Sequence, residues 1–584
     1  SIVYGKTGDH VRRLRVVLSD GSTAEFGPVG PAAWDRKADG RGREAEIYRE
    51  VRQVAAANAA EIRRRFPKLV RRVSGYNLAD LLAPPTLGNG DATTLAPTAG
   101  LHTLVVGGEG TLAVVTEAEL NLVPRPKARG LLVPHFNSLA AALDSLAACL
   151  EAKPSAVELL DEMLIRLTAG NLALRDTTAL IEGTPAALFM VEFAGDDPAE
   201  VSARVHDLKR RLTGTPGLTA AVPALDSVPR DRLWNLRTAA MPILYGMPGD
   251  AKPVTFVEDA AVDPRRLPEF ALRFRDLLRA HGTDGAFYGH ASVGCLHIRP
   301  VLNLKDRNDV ARMRRITEQV TDLVLEYGGS LSGEHGDGYV RSEWNRKMFG
   351  PAVYEAFRRV KGAFDPHGLL NPGKVVDAPP MTEQLRYGPP YAPADPPTVF
   401  SYDRQGGFTR AVELCNGNGA CRKHKGGTMC PSYRATLDER DTTRARANAL
   451  RLAIGGAGGD PRAARREVAE DAVHEVMDLC LMCKACKAEC PSNVDVAKLK
   501  AEFLYAYYKR HPRPLGHYLM AYIHWVNRLS APFAPLVNWL GRHKWSRWVM
   551  ELTTGIDRRR SLPPLHGDHF RRWFARHAPD PNAG

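Results

Sequence analysis

Seven of the nine cysteines fall between positions 415 and 490, as Cys415-Asn-Gly-Asn-Gly-Ala-Cys421, Cys430-Pro431 and Cys480-x-x-Cys483-x-x-Cys486-x-x-x-Cys490-Pro491. Thiolates hold iron when several converge on one point. A C-x2-C-x2-C run wraps three sulfurs around one cluster, and a following cysteine before proline serves the other cluster of a two-cluster protein. This rule groups Cys480, Cys483 and Cys486 with the remote Cys430 as a complete set for a [4Fe-4S] cluster. The second set is Cys415, Cys421 and Cys490. It is one thiolate short, because Asn418 stands where the first run would carry its middle cysteine. That leaves a [3Fe-4S] cluster, or a [4Fe-4S] cluster with a non-cysteine ligand. The competing reading is structural zinc, which also takes four thiolates but rarely with this spacing.

A second group of reactive side chains lies upstream. Tyr288-Gly-His290-Ala-Ser-Val-Gly-Cys-Leu-His297 sets two histidines seven apart, and Ser332-Gly-Glu334-His335-Gly follows. Two histidines and a glutamate can hold a divalent cation, zinc or another, with positions open for substrate. The competing reading is histidines hydrogen-bonded in a core. Gly107-Gly-Glu-Gly110 is by itself only a turn between strands.

The elements that must position these groups read as follows. Leu14 to Leu18 turns at Asp20-Gly21 into Thr23 to Phe26, a hairpin. Residues 31–72 carry Ile47, Val51, Val54 and Ile62 at helical spacing. Strands are predicted over 101–106, 111–116 and 118–123. From 130 to 375 strands near 130–134, 188–193 and 254–262 alternate with helices over 138–151, 198–212 and 265–281, an α+β pattern with helices on one face of a sheet. Seven prolines between 379 and 397 mark a linker. The cysteine region is helical by pattern. Beyond residue 510, Trp525, Trp539, Trp545 and Trp548 predict helices whose aromatic face packs on the cysteine region, with a membrane-surface helix as the alternative. The boundaries are thus 1–127, 128–376, a linker over 377–404, 405–510 and a tail over 511–584.

The composition, 44% hydrophobic and 25% charged, excludes a disordered or collagen-like chain. Clustered cysteines fit a reducing compartment and hence the cytoplasm. The sequence holds no run of about 18 apolar residues. The net charge of +13 is scattered among 66 acids, which suits small anionic substrates or contact with an anionic membrane surface. No motif for reading nucleic acid accompanies it.

Five motifs occur in order: Val73 to Leu82, Gly107-Gly-Glu-Gly-Thr-Leu-Ala-Val-Val-Thr-Glu117, Gly289 to His297, Ser332 to Gly336, and Phe364-Asp-Pro-His-Gly-Leu-Leu-Asn-Pro-Gly-Lys374. Together they resemble the FAD-linked D-2-hydroxyacid dehydrogenases of the vanillyl-alcohol oxidase superfamily, and the chain as a whole resembles bacterial fusions of such a flavoprotein with a two-cluster ferredoxin domain. The resemblance implies an α+β protein made of the C-terminal part of an FAD domain, an α+β substrate (cap) domain and a helical ferredoxin domain. It implies metal ligands at His290, His297 and Glu334, and a catalytic histidine at His335. Substrate carboxylate would be gripped by Arg237 and Lys252, with Arg299 hinting at a second carboxylate. Flavin contacts would fall on Glu109, Gly110, Thr111, Val114, Asn371 and Lys374. The implied activity is oxidation of a D-2-hydroxy acid, D-2-hydroxyglutarate or D-lactate, with electrons passing through the clusters to a quinone or protein carrier. An electron-transfer subunit without substrate oxidation is the alternative. Cys295 departs from the family pattern, which has asparagine there. The family's glycine-rich pyrophosphate loop would lie before position 1, and the larger fusions continue past 584 with another cysteine-rich domain, so the chain reads as a fragment.

Anaerobically purified protein is therefore expected to carry iron together with acid-labile sulfide. Zinc without sulfide would end the cluster reading.

Overall fold

A computed structural model describes residues 2–83, 95–96, 99–169, 175–247, 249–456, 461–468 and 470–577. The hairpin pairs β1 (Val11–Val17) with β2 (Thr23–Phe26). The other edge of β1 takes β3 (Val114–Leu120), giving the order β2-β1-β3. Helices Pro31–Ala38, Arg43–Ala57 and Ala59–Arg65 follow the hairpin. Ile47, Val51, Val54 and Ile62 are fully buried among them, as the helical spacing requires.

Two expectations fail in this part. The strand predicted over 101–106 is a short helix, His102–Val105. Leu101 and Leu104, three residues apart, share its buried side, which is a helical period. The two strands predicted over 111–116 and 118–123 are the single strand β3, exposed along its whole length.

The second unit is a seven-stranded antiparallel sheet built from β4 (Ala128–Phe136), β5 (Ala156–Asp161), β6 (Ala187–Gly195), β7 (Leu218–Ala224), β8 (Lys252–Pro253), β9 (Gly285–His290) and β10 (Cys295–Leu302), in the order β7-β4-β6-β5-β9-β10-β8. Helices cover both faces rather than the one expected. Consecutive apolar residues such as Leu131-Leu-Val133 point alternately up and down, so such a strand must be buried on both sides. Phe136, Phe189, Val191 and Phe193 share a core with helices Pro198–Leu212, Leu267–Ala280 and Arg307–Glu326. Leu131, Leu160, Met190 and Tyr288 pack on the opposite face with Leu233 and Leu236 of helix Ser227–Tyr245. The predicted strand over 254–262 is irregular beyond Pro253, with Ala261 bridging Cys295 and Ser330.

The proline-rich segment leads into a helical unit whose core includes Phe408, Val412, Leu450, Met477, Leu499 and Phe503, with Cys415, Cys421, Cys430 and Cys486 embedded in it. It docks on the sheet unit through charge. Lys305 Nζ lies 2.8 Å from Glu413 and 3.0 Å from Asp250, and Arg410 lies 2.7 Å from Asp250.

Helices Leu515–Ala521, Ile523–Ser530, Ala534–Arg542 and Lys544–Thr554 form the tail. Their tryptophans, Trp525, Trp539, Trp545 and Trp548, stay 49–58% exposed. The expected packing of an aromatic face on the cysteine region is thus not seen, because these short helices lean on one another and turn their rings outward. Among the described residues no helix is long and apolar enough to cross a membrane.

Phe189 is fully buried and meets Phe136 edge to face at 6.0 Å. Phe189→Ala is expected to cost about 3–5 kcal/mol, read as a lower midpoint of thermal unfolding for the sheet unit. An unchanged midpoint would remove this pair from the core.

Candidate active site

The β9–β10 hairpin explains why histidines seven apart in sequence meet. Gly294, with φ of 71°, closes the turn; a Cβ there would stand 1.8 Å from Val262 O, so only glycine fits. The register pairs Cys295 with His290 and His297 with Tyr288. Side chains alternate across a strand, so His290, Tyr288, His297 and Arg299 share one face. The next strand adds Glu158 opposite His290.

On that face His290 Nε2 lies 3.0 Å from Glu334 Oε1, and His297 Nε2 lies 3.4 Å from the same oxygen. Each ring is held by its other nitrogen. His290 Nδ1 is 2.6 Å from Glu158 Oε1, and His297 Nδ1 is 3.3 Å from Glu258 O. A carboxylate or carbonyl behind each imidazole, with both free nitrogens aimed at a third ligand, is how metal-binding histidines are oriented. The predicted set of His290, His297 and Glu334 therefore converges, and its donors fit a divalent cation.

His335 stacks on His297, ring centroids 4.9 Å apart, with Nε2 3.6 Å from Glu334 Oε1 and Nδ1 3.5 Å from Glu258 Oε1. It is the most open of the three rings. Asp259, His297, Glu334 and His335 also bring one ligand atom each within 4.8 Å of one another. We assign Asp259 to scaffolding instead, because its Oδ2 accepts from Ser332 Oγ (2.6 Å), Glu334 N (3.0 Å) and His335 N (2.7 Å), while its Oδ1 faces Cys295 Sγ at 3.3 Å.

Charge is graded across the site. Burial opposes ionisation of Glu334, but hydrogen bonding and charge from His290, with His297 and Arg71, bring its carboxyl down to about 2. Burial likewise opposes a charged His290, and Glu158 and Glu334 override it, raising the ring to about 9. His297 is pushed well below the usual range by burial and by the neighbouring cations. Burial would also lower His335, yet Glu258 and Asp259 raise it. A cation entering here displaces the proton on His290, since metals take neutral imidazole.

Arg237 Nε donates to Glu158 Oε2 at 2.7 Å, and its guanidinium lies 5.1 Å from the Tyr288 ring. Arg299 lies 5.4 Å from the same ring, 3% exposed, with Nε and Nη1 unpaired. Lys252 is not gathered in. It pairs with Leu302, five residues along β10 from His297, and its Nζ is bonded to Met247 O. There it lines a cavity that also touches Tyr245, Lys305, Arg386 and Cys415.

Of the expected flavin contacts, Glu109, Asn371 and Lys374 form one ledge. The Glu109 carboxylate accepts from Asp337 N at 2.6 Å and Gly338 N at 2.9 Å, and Glu109 O accepts from Asn371 Nδ2 at 2.6 Å. Lys374 Nζ reaches Asn371 Oδ1 and lies 4.2 Å from the Tyr339 ring. Thr111 is buried against Tyr76, and Val114 opens β3, half exposed. Gly107, Glu109 and Gly110 all have positive φ. This bend leaves Gly107 and Gly110 exposed beside the loop that carries His335.

The cysteines sort as expected. Cys430, Cys480, Cys483 and Cys486 line one cavity; Cys415, Cys421 and Cys490 line another with Asn418 and Ser492, and Thr443 borders both. Backbone N–H groups of Val496 and Ala497 point at Cys486, those of Ser492, Asn493 and Val494 at Cys490, and that of Gly417 at Cys415. Burial raises the Cys415, Cys486 and Cys490 thiols, these donors act against it, and the guanidinium of buried Arg446 lies 3.4 Å from Cys430 Sγ. Both sets fit iron–sulfur clusters.

Sequence reasoning missed Glu158, Glu258 and Asp259. The signal was present: acids set inside the apolar runs Ala156-Val-Glu-Leu-Leu and Phe256-Val-Glu-Asp-Ala-Ala.

An α+β unit with a histidine–glutamate centre, joined to a helical unit with two thiol sets, defines a redox protein of two parts. Residues 125–375 match the family "FAD linked oxidases, C-terminal domain" and residues 411–494 the "4Fe-4S dicluster domain". The chain therefore carries an FAD-linked oxidase C-terminal domain followed by a 4Fe-4S dicluster domain. It is similar to proteins named D-2-hydroxyglutarate dehydrogenase from Pantoea ananatis (31% identical, 99% of this chain), Pseudomonas putida (33%, 95%) and Escherichia coli (32%, 89%). It spans 59%, 57% and 54% of those relatives' lengths.

Glu158→Gln is expected to weaken divalent-metal binding about 10- to 100-fold, the usual cost of losing the group behind a ligating histidine. Competition with a chromogenic chelator measures it. Unaltered affinity would take His290 out of the ligand set.

Proposed function

We propose that the chain serves in the FAD-dependent oxidation of a D-2-hydroxy acid to the 2-oxo acid, its electrons leaving through the iron–sulfur domain to a quinone or protein carrier. The observation that carries this reading is the convergence of His290, His297 and Glu334 beside His335, on a loop strapped to the Glu109–Asn371 ledge. The names of the relatives point the same way.

A divalent cation held by His290, His297 and Glu334 would polarise the substrate hydroxyl, FAD at the Glu109–Asn371 ledge would supply a hydride acceptor, and clusters on the two cysteine sets would supply one-electron carriers. The chain's own residues do the rest. His335 accepts the hydroxyl proton at Nε2, and Glu258 behind its Nδ1 steadies the charge that results. Arg237, braced by Glu158, orients the C1 carboxylate. Lys252 at the mouth of the neighbouring cavity adds positive potential that draws anions. Arg299 has donors to spare in a buried position, which favours a dicarboxylate such as D-2-hydroxyglutarate over D-lactate. An electron-transfer role alone leaves the Glu158–His290 and Glu258–His335 pairs without a task. Nine free cysteines suit the cytoplasm, and the exposed aromatic tail offers a surface for peripheral membrane contact.

A panel of D- and L-2-hydroxy acids, followed by anaerobic bleaching of flavin in the full-length FAD-loaded protein, is the direct test. His335→Ala is expected to leave flavin content unchanged and slow bleaching about 10²- to 10⁴-fold; undiminished bleaching removes His335 from the chemistry. Arg299→Ala is expected to weaken binding of D-2-hydroxyglutarate about 10- to 100-fold, the worth of a hydrogen bond to a charged group, while sparing D-lactate. Equal losses for both acids would refute the second-carboxylate role.

A further inference from the structure

The three-cysteine cavity contains an oxygen donor without a partner. Ser492 lines it together with Cys415, Cys421 and Cys490. The residue is 1% exposed, and its hydroxyl makes no hydrogen bond. Leaving a buried hydroxyl unmatched is costly, so such a group marks a place where something else binds.

The tripeptide Cys-Pro-Ser occurs twice, at 430–432 and 490–492. The two serines differ in what surrounds them. Ser432 donates to Asp441 O at 3.0 Å and accepts from Arg446 Nη2 at 3.1 Å, and the cavity lined by its neighbour Cys430 has four thiols. Ser492 has no such engagement, and its cavity has three thiols. The hydroxyl is unpartnered at the set that lacks a ligand.

The amide oxygens of the two asparagines in that cavity are engaged. Asn416 Oδ1 accepts from Asn418 N at 3.1 Å, and Asn418 Oδ1 accepts from Ala420 N at 2.8 Å. Both are turn contacts that fix the loop carrying Cys415 and Cys421, and they commit the amide oxygens to backbone. The side-chain oxygen of Asn418, the residue standing in for the missing cysteine, is thus already engaged, whereas that of Ser492 is not.

We propose that Ser492 Oγ is the fourth protein donor of this site, which then holds a [4Fe-4S] cluster ligated by Cys415, Cys421, Cys490 and Ser492. On binding, the Oγ–H bond breaks, its proton leaves to water and an Fe–O bond forms; no electron is transferred. The inference rests on iron at the cysteine sets and is independent of which acid is oxidised.

The test is iron and acid-labile sulfide per chain, with EPR of the oxidised state, on the full chain purified anaerobically. Wild-type protein is expected to show iron for two complete clusters and no three-iron signal. Ser492→Ala is expected to lose one iron per chain and gain the three-iron signal, and Ser492→Cys to restore full iron without it. Should Ser492→Ala lose the whole cluster, retention in Ser492→Cys supports the assignment and loss in both overturns it. A three-iron signal in wild type, iron for one cluster only, or an unchanged Ser492→Ala spectrum also overturns it. Zinc without sulfide sinks the cluster reading altogether, whereas sulfide with an indifferent Ser492→Ala sinks this inference alone.

Discussion

The carboxylate of Asp259 is completely buried, and the arrangement of the histidine centre depends on it. A buried charge persists only where hydrogen bonds replace its water. Here Ser332 Oγ, the amides of Glu334 and His335 and the thiol of Cys295 supply them. The effect is to pin the segment bearing Glu334 and His335 to the strand bearing His297. From the other side the Glu109 carboxylate takes the amides of Asp337 and Gly338. One loop is thus strapped between two acids from separate units, so the ledge and the histidine centre hold a fixed distance from each other.

This economy explains what the sequence disclosed and what it withheld. His290, His297, Glu334 and His335 were legible because they sit in glycine-bearing motifs whose residue types have few other uses together. Glu158 and Asp259 were marked only as acids inside apolar runs; their roles were not legible, since each acts across a register that pairs β5 with β9 or brings 259 to 332–335, and no local pattern encodes such a pairing. Short apolar runs were ambiguous for the usual reason: six residues do not separate a period of two from one of 3.6. Leu101 to Val106 fell to the helix, and Val254 to Val262 lost its strand where Glu258 and Asp259 turn inward.

Amphipathic length was the better guide elsewhere. Pro198–Leu212 occurs as expected because its apolar positions Val201, Val205, Leu208 and Leu212 recur at helical intervals over four turns. The tail misled for a related reason. A strong aromatic pattern states that a helix has two unlike faces, but not which neighbour covers the apolar one. In the fold the tail helices contact each other and leave their tryptophans outward.

The same limit applied to the cysteines, with a more favourable outcome. Spacing alone divided them into a set of four and a set of three, and the cavities respect that division. Their placement adds what spacing lacked. Cys415 also borders the cavity shared with Tyr245 and Lys252 of the sheet unit, beneath the Lys305–Asp250–Arg410 network, whereas the complete set lies within the helical unit with Cys483 exposed. The incomplete set is therefore the one that reaches the contact between the helical unit and the sheet unit. The potential of an iron–sulfur cluster responds to ligand type, hydrogen bonds and solvent exposure. An oxygen ligand from Ser492, as proposed, would change the first of these while Cys415, Cys421 and Cys490 keep their places in the fold.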